Sequence, residues 1–328
     1  MDENDIRPKF LEIEHKKVIK NDVMWLKEKQ KNFSLVCCPS CGSNNYKYLY
    51  KKYFLTQVLC KDCNTQFVNP RPTEKILKEF YSRSVNYEFF AKNIFSRTEE
   101  VRLKKIFMPR AKYLSKKIDT KGKTLLEIGA AYGFFVEAVK KLKLFKKIIA
   151  VEPTPDLAAK LRKKNNLVVI EKAYENIVMK EKVDVVANFE VIEHLYNPKK
   201  FLKWCYDITK PNGCIFLTCP NISGFETTVL GKFSTSVDHE HLNMFNPNSI
   251  SLLLKNVGFK FIEVTTPGKL DVDLVRSALD KKNIKSNALG GFLQQLYKEN
   301  NTKKLKQFQN FLSSSGESSH MMILAYKK

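Results

Sequence analysis

Between residues 120 and 328 the chain alternates two apolar patterns. Near-continuous runs at Thr124–Ile128, Ile148–Val151 and Lys182–Asn188 read as short strands buried on both faces, whereas Pro198–Ile208 spaces Phe201, Leu202, Trp204 and Cys205 as one face of a helix. Pro211-Asn-Gly213 turns into a further strand over Cys214–Asn221, Lys260–Thr266 adds another, and Met321–Tyr326 returns as the last after an excursion of about 50 residues. Repeats of strand, helix and strand imply an α/β fold whose sheet is parallel with right-handed crossovers. The Ser313–Ser319 segment reads as a flexible loop before the last strand. Ahead of this domain, residues 1–33 form a Lys/Glu-rich leader with helical character and residues 34–72 a small separate unit. A helical bridge over 73–118 then leads to a domain over 119–328. In the bridge, Tyr81, Tyr87, Phe89 and Phe90 are candidates to lid a site, although aromatic residues at such spacing also build cores.

The turn after the first of these strands carries chemistry. Gly129 permits a sharp bend, Gly133 lets the following helix, to about Leu142, begin against a ligand, and Glu152 ends the next strand where a carboxylate can accept both hydroxyls of a ribose. An adenosine cofactor fits that layout. A dinucleotide does not, because its loop requires a glycine at the sixth position, which here is Phe134, and because Glu127 just before the turn would repel a pyrophosphate. Glu127 suits a cationic group instead.

The stretch Glu127-Ile-Gly-Ala-Ala-Tyr-Gly133 resembles motif I of the Rossmann-like, class I methyltransferases, with Ala131 in place of the middle glycine. The resemblance implies a seven-stranded sheet, parallel but for one antiparallel strand, and S-adenosylmethionine (SAM) as cofactor. It implies cofactor contacts from Glu127, Gly129, Ala131, Tyr132, Gly133, Glu152, Pro153 and Glu190. The Ala131 methyl group narrows the approach to the methionine end.

Cys38-Pro-Ser-Cys41 and Cys60-Lys-Asp-Cys63, with eighteen residues between the pairs, have the spacing of two knuckles closing one tetrahedral Zn²⁺ site. Four thiolates leave zinc no open position, so the expected role is structural, and a unit of about 40 residues needs such a staple. Tyr46–Tyr53 between the knuckles reads as ribbon strands. Cys37 is a spare pointing away; Cys205, Cys214 and Cys219 sit in apolar elements and read as core. Eight cysteines, a metal site and no signal sequence point to a reduced, cytoplasmic protein.

Composition adds little to this picture. With 43% hydrophobic residues over 328 positions, one large core and an appendage are expected, and no apolar run is long enough to span a membrane. The net charge of +23 would ordinarily suggest a nucleic acid, but only eight of the 57 basic residues are arginine, a lysine skew that weakens the inference. An anionic small substrate is favoured over nucleic acid.

The order of the two knuckles, the Phe67-Val-Asn-Pro-Arg-Pro72 exit and the SAM-type domain resembles bacterial methyltransferases of sugar-nucleotide, deoxysugar and surface-polysaccharide pathways. Within Asp238-His-Glu-His-Leu-Asn-Met-Phe245, Glu240-His241-Leu242 and Phe245 resemble the E-H-L-x-x-F segment of sugar C-methyltransferases, which implies that Glu240 and His241 serve catalysis. The alternative is that His239 and His241 only orient the loop. A competing constellation, Glu190-Val-Ile-Glu193-His194, is similar in spacing to metal-dependent O-methyltransferases acting on ubiquinone precursors and on small RNAs. Joined by His239 or His241, it could hold a divalent ion that polarises a hydroxyl. Yet E-x-x-E-H also occurs in metal-free relatives. Three readings stay open: a methyltransferase of small molecules, with a sugar or sugar nucleotide as acceptor; a metal-assisted methyltransferase of RNA or another macromolecule; and a non-catalytic SAM-fold binding module.

Overall fold

The computed structural model describes residues 3–281, 284–285 and 289–328, apart from the side chain of Tyr87. Eleven strands form two sheets among these residues: β1 Tyr46–Lys52, β2 Leu55–Cys60, β3 Gln66–Val68, β4 Thr124–Ile128, β5 Lys147–Val151, β6 Val168–Ile170, β7 Val183–Phe189, β8 Thr209–Pro220, β9 Asn243–Met244, β10 Lys260–Thr265 and β11 His320–Tyr326. The large sheet has the order β10-β11-β8-β7-β4-β5-β6. Strands β4 to β8 pair in parallel, and β11 runs antiparallel to both β8 and β10. This is the expected Rossmann-like sheet of seven strands with one reversed.

Adjacent residues of β4 feed opposite layers, as the period of two in a strand requires. Leu126 and Ile128 pack with Ile149, Val186, Phe201 and Leu217, while Leu125 packs with Ile148, Phe135, Val139 and Phe216 on the other face. Helices Phe134–Lys141 and Pro198–Ile208 supply the covering side chains. Sheet faces dry on both sides explain why these strands read as unbroken apolar runs. Among the described residues no helix is long and apolar enough to cross a membrane.

Strands β1 to β3 form an antiparallel ribbon, and β9 adds to its free edge through Gln66 opposite Met244 and Phe67 opposite Asn243. The small sheet therefore takes its fourth strand from the segment that follows the histidine loop, with Asn243 lying 176 residues beyond its partner Phe67 in the chain. The longest helix of the leader is Glu12–Glu28, and the bridge is a succession of short helices from Glu74–Tyr81 to Met108–Lys117.

One expectation is corrected. Ser313–Ser315 close the helix Thr302–Ser315, and Ser318 and Ser319 are buried rather than loose. The buried carboxylate of Asp271 accounts for this, since it accepts hydrogen bonds from Ser318 Oγ at 2.6 Å, Ser319 N at 2.6 Å and Gln309 Nε2 at 2.9 Å. Without those donors its burial would be costly.

Candidate active site

The carboxyl ends of the parallel strands open on one side of the sheet, and the turns that leave them assemble the site. After β4, Gly129 and Gly133 both adopt φ of +70°. A Cβ at Gly129 would come within 2.8 Å of Val191, and one at Gly133 within 2.6 Å of Leu161, so both close approaches require glycine. Ala131 is also left-handed, at φ 45°, where a methyl group costs about 1 kcal/mol. Its amide donates to Glu152 Oε2 at 2.8 Å, while Glu152 Oε1 accepts from Thr154 N at 2.9 Å. Glu152 thus stands at the end of β5 tied to the loop it faces, and a carboxylate there can accept from more than one donor. Pro153 links it to Thr154.

Glu127 is buried, and Val136 N donates to its Oε2 at 3.1 Å. Burial pushes its carboxyl up to about 8. Two buried carboxyls and no lysine in the turn fit a cationic, hydroxyl-bearing ligand such as SAM, and would repel phosphate. A cation beside Glu127 favours its ionised form, so cofactor affinity is expected to rise between pH 6 and pH 7.5 and the rise to vanish in Glu127→Gln. Calorimetry across that range checks this.

The bridge lies over the cofactor turn. Tyr132 stacks on Phe134 and its hydroxyl donates to Ala91 O; Phe95 packs against both rings, and Phe107 against Phe134 and Phe189. Of the bridge aromatics singled out above, Phe89 and Phe90 instead enclose the His15 ring of the leader, and Tyr87 lies outside the described side chains. Tyr81 does reach the site, its hydroxyl 3.2 Å from His194 Nδ1. Glu190 leaves β7 with φ 55° and is held by Thr218 Oγ1 at 2.6 Å, His320 Nε2 at 2.8 Å and Arg110 at 3.4 Å.

Glu193, His194 and His241 come together, each offering a ligand atom within 4.8 Å of the others. The two imidazole rings meet edge to face, 4.6 Å between centroids. Glu193 is fully buried, and neither carboxyl oxygen has a hydrogen-bond partner among the described residues. Burial, reinforced by the nearby Glu190 charge, pushes its carboxyl well above the usual range. Burial likewise lowers His194 to about 3, helped by His241, and lowers His241. His241 Nδ1 lies 2.6 Å from the Ser236 carbonyl oxygen, which can only accept. The ring proton therefore sits on Nδ1, and Nε2 carries a free lone pair.

Glu240 Oε1 accepts a hydrogen bond from Asn86 Nδ2 at 2.7 Å. Its Oε2 is 3.9 Å from His194 Nδ1, and burial pushes the carboxyl up to about 7 against the pull of His239.

Sequence patterns missed what braces this loop. Arg71, 1% exposed, donates to Val68 O, Tyr196 O, Leu242 O and Asn243 Oδ1 at 2.9 to 3.3 Å. Asn243 Nδ2 in turn donates to Leu195 O at 2.7 Å, and Asn246 Nδ2 reaches Cys63 O and Asn64 O. The sequence shows Arg71 only as part of the Phe67–Pro72 exit; its burial, which demands several acceptors, is set by packing. In the ribbon, Cys38, Cys41, Cys60 and Cys63 gather within 4.8 Å, with Sγ atoms of Cys38 and Cys63, and of Cys41 and Cys60, 3.5 Å apart. Thiolates about 2.3 Å from a zinc ion stand roughly 3.8 Å from one another, so the cluster fits the metal. Cys37 is exposed, and Cys205, Cys214 and Cys219 are core residues.

Known proteins resemble part of this chain. The profile of a family described as Methyltransferase domain matches residues 99–264. A ubiquinone biosynthesis O-methyltransferase of Coxiella burnetii is 23% identical over 182 residues, 51% of this chain and 78% of that protein. Its counterpart in Xanthomonas euvesicatoria is 22% identical over 170 residues, 48% of this chain and 70% of the other. The solved structure of the plantazolicin methyltransferase BpumL in complex with SAH is 14% identical, with a TM-score of 0.50 over 77% of this chain and 94% of that one, a likeness of fold.

Proposed function

Since the chain belongs to the methyltransferase-domain family, as a SAM-dependent methyltransferase, we propose that it methylates a small acceptor, a sugar or sugar nucleotide, with His241 as the general base. The observation that carries this reading is the Nδ1 hydrogen bond from His241 to Ser236, which leaves Nε2 unprotonated. When bound, SAM supplies an electrophilic methyl group. What the chain must add is orientation of the acceptor and removal of its proton. Glu127 and Glu152 orient the cofactor, and Gly129 and Gly133 allow its close approach. His241 takes the acceptor's proton at Nε2, and its low proton affinity in the resting state keeps it in the basic form at neutral pH. The Tyr81 hydroxyl and the Glu240 carboxyl flank Nδ1 of His194, whose ring packs against that of His241.

The sugar assignment rests on the resemblance of the knuckles, the Phe67–Pro72 exit and the Glu240-His241-Leu242 segment to sugar-pathway enzymes. The relatives named for ubiquinone biosynthesis O-methylation support a hydroxyl as the accepting group. Incubation of the full chain with methyl-labelled SAM, a panel of sugar nucleotides, polyprenylated phenols and total RNA tests the acceptor. Label is expected on a sugar; transfer only to phenols or RNA contradicts the sugar reading, and transfer to none supports a binding module.

A second reading is favoured by one observation, the unpartnered Glu193 carboxyl facing two neutral imidazoles. Glu193, His194 and His241 would then hold a divalent ion that polarises the acceptor hydroxyl. Under that reading Glu193→Gln is as damaging as His241→Ala and added Mg²⁺ or Mn²⁺ raises the rate; under the base reading, Glu193→Gln retains most activity.

A further inference from the structure

The leader helix carries a carboxylate that methyl transfer does not use. Asp22 is buried, and it accepts from Ser84 Oγ at 2.6 Å, Asn86 N at 3.1 Å and Val85 N at 3.2 Å. Its Oδ2 faces the histidine loop, 3.9 Å from His239 Nε2. Glu240 Oε1 stands 3.6 Å from the same nitrogen. His239 is 1% exposed, and Nε2 has no hydrogen-bond partner among the described residues. The three ligand atoms lie within 4.8 Å of one another.

Both separations are too long for hydrogen bonds. They are close to the spacing of donors around a small cation, about 3.4 Å for tetrahedral ligands about 2.1 Å from the ion. The far side of the ring completes the pattern: His239 Nδ1 is hydrogen-bonded to Asp238 Oδ1. A carboxylate on one imidazole nitrogen fixes the tautomer and turns the lone pair of the other outward, the usual support of a metal-bound histidine. The edges of Phe80 and Tyr53 pack on the ring, which keeps the pocket dry. Charge points the same way, since Asp22, Asp238 and Glu240 surround a single imidazole and a divalent ion offsets more of their charge than one proton.

We propose that Asp22, His239 and Glu240 bind a divalent cation, Mn²⁺ or Zn²⁺ by their mixed nitrogen and oxygen donors, at a site separate from the four cysteines and from Glu193-His194-His241. The ion fastens the leader helix Glu12–Glu28 to the loop that carries His241. Asp22 is a positioning residue in this scheme.

The test is titration of the zinc-loaded full chain with Mn²⁺, followed by loss of the free-ion paramagnetic resonance signal; thiolates bind Mn²⁺ poorly, so nitrogen and oxygen sites report selectively. A parallel metal analysis after equilibration with excess Zn²⁺ covers the other ion. The wild type is expected to bind an ion beyond the ribbon's zinc. Asp22→Asn and His239→Gln are each expected to weaken that binding at least about 10-fold, and Glu193→Gln to leave it in place. Should one of the two variants fail to fold, the wild-type stoichiometry and the other variant still decide. No ion beyond the ribbon's, binding that survives both substitutions, or binding lost in Glu193→Gln overturns the proposal.

Discussion

Replacing Cys60 by serine is expected to abolish zinc binding at the ribbon and to reduce methyl transfer to near background, while SAM still binds. A structural zinc in a small motif contributes about 10–16 kcal/mol at neutral pH, as much as or more than a whole domain's net stability of about 5–15 kcal/mol, so the ribbon does not stay folded without it. Transfer suffers because the ribbon is part of the site. Strand β3 pairs with β9, directly after the histidine loop, and Arg71 holds Leu242 and Asn243. The cofactor turn belongs to the large sheet, whose core is built from its own strands and helices. Zinc content, initial rate and SAM affinity of the same Cys60→Ser preparation check the result. Arg71→Ala provides a milder version, in which each buried acceptor left unpaired costs about 1–3 kcal/mol and the zinc remains.

His241→Ala is expected to lower turnover by about 10²–10⁴ while leaving SAM affinity unchanged, the range ascribed to loss of a positioned general base. The substitution removes the ring proposed to take the acceptor's proton at Nε2, yet it touches neither the Gly129–Gly133 turn nor Glu152. Rates at saturating cofactor and acceptor, set beside calorimetric SAM affinity, separate the two effects. Full activity would remove His241 from both the base and the metal readings, and Tyr81, with its hydroxyl on His194, becomes the group to examine.

The parts of this site that were legible in the sequence are those encoded within a few residues. Gly129 and Gly133 mark a turn that no side chain fits, Glu152 ends a strand, and the paired cysteines are spaced so that the four gather in one cluster. The order of buried strands gave the sheet, because runs such as Val183–Phe189 have no polar face to misplace. What escaped is long-range. β9 is two residues long and has no period to detect; it exists because Gln66 and Phe67 present an open edge. Asp22 lies in a Lys/Glu-rich helix where one more acid is unremarkable, and only packing places it beside His239. Phe95 and Phe107 cover the cofactor turn while Phe89 and Phe90 serve His15, a division that aromatic density alone does not encode.

Calorimetric titration of SAM into the full chain and into Glu152→Ala tests the cofactor assignment most directly. Glu152 is buried at the end of β5 and already holds Ala131 N and Thr154 N, so its loss removes the proposed ribose contact and loosens the turn together. Saturable binding to the wild type is expected, weaker by about 1.5–3 kcal/mol in the variant, or roughly 10- to 150-fold in Kd, with NAD binding to neither. SAM affinity unchanged in Glu152→Ala, or binding of NAD in its place, would contradict it.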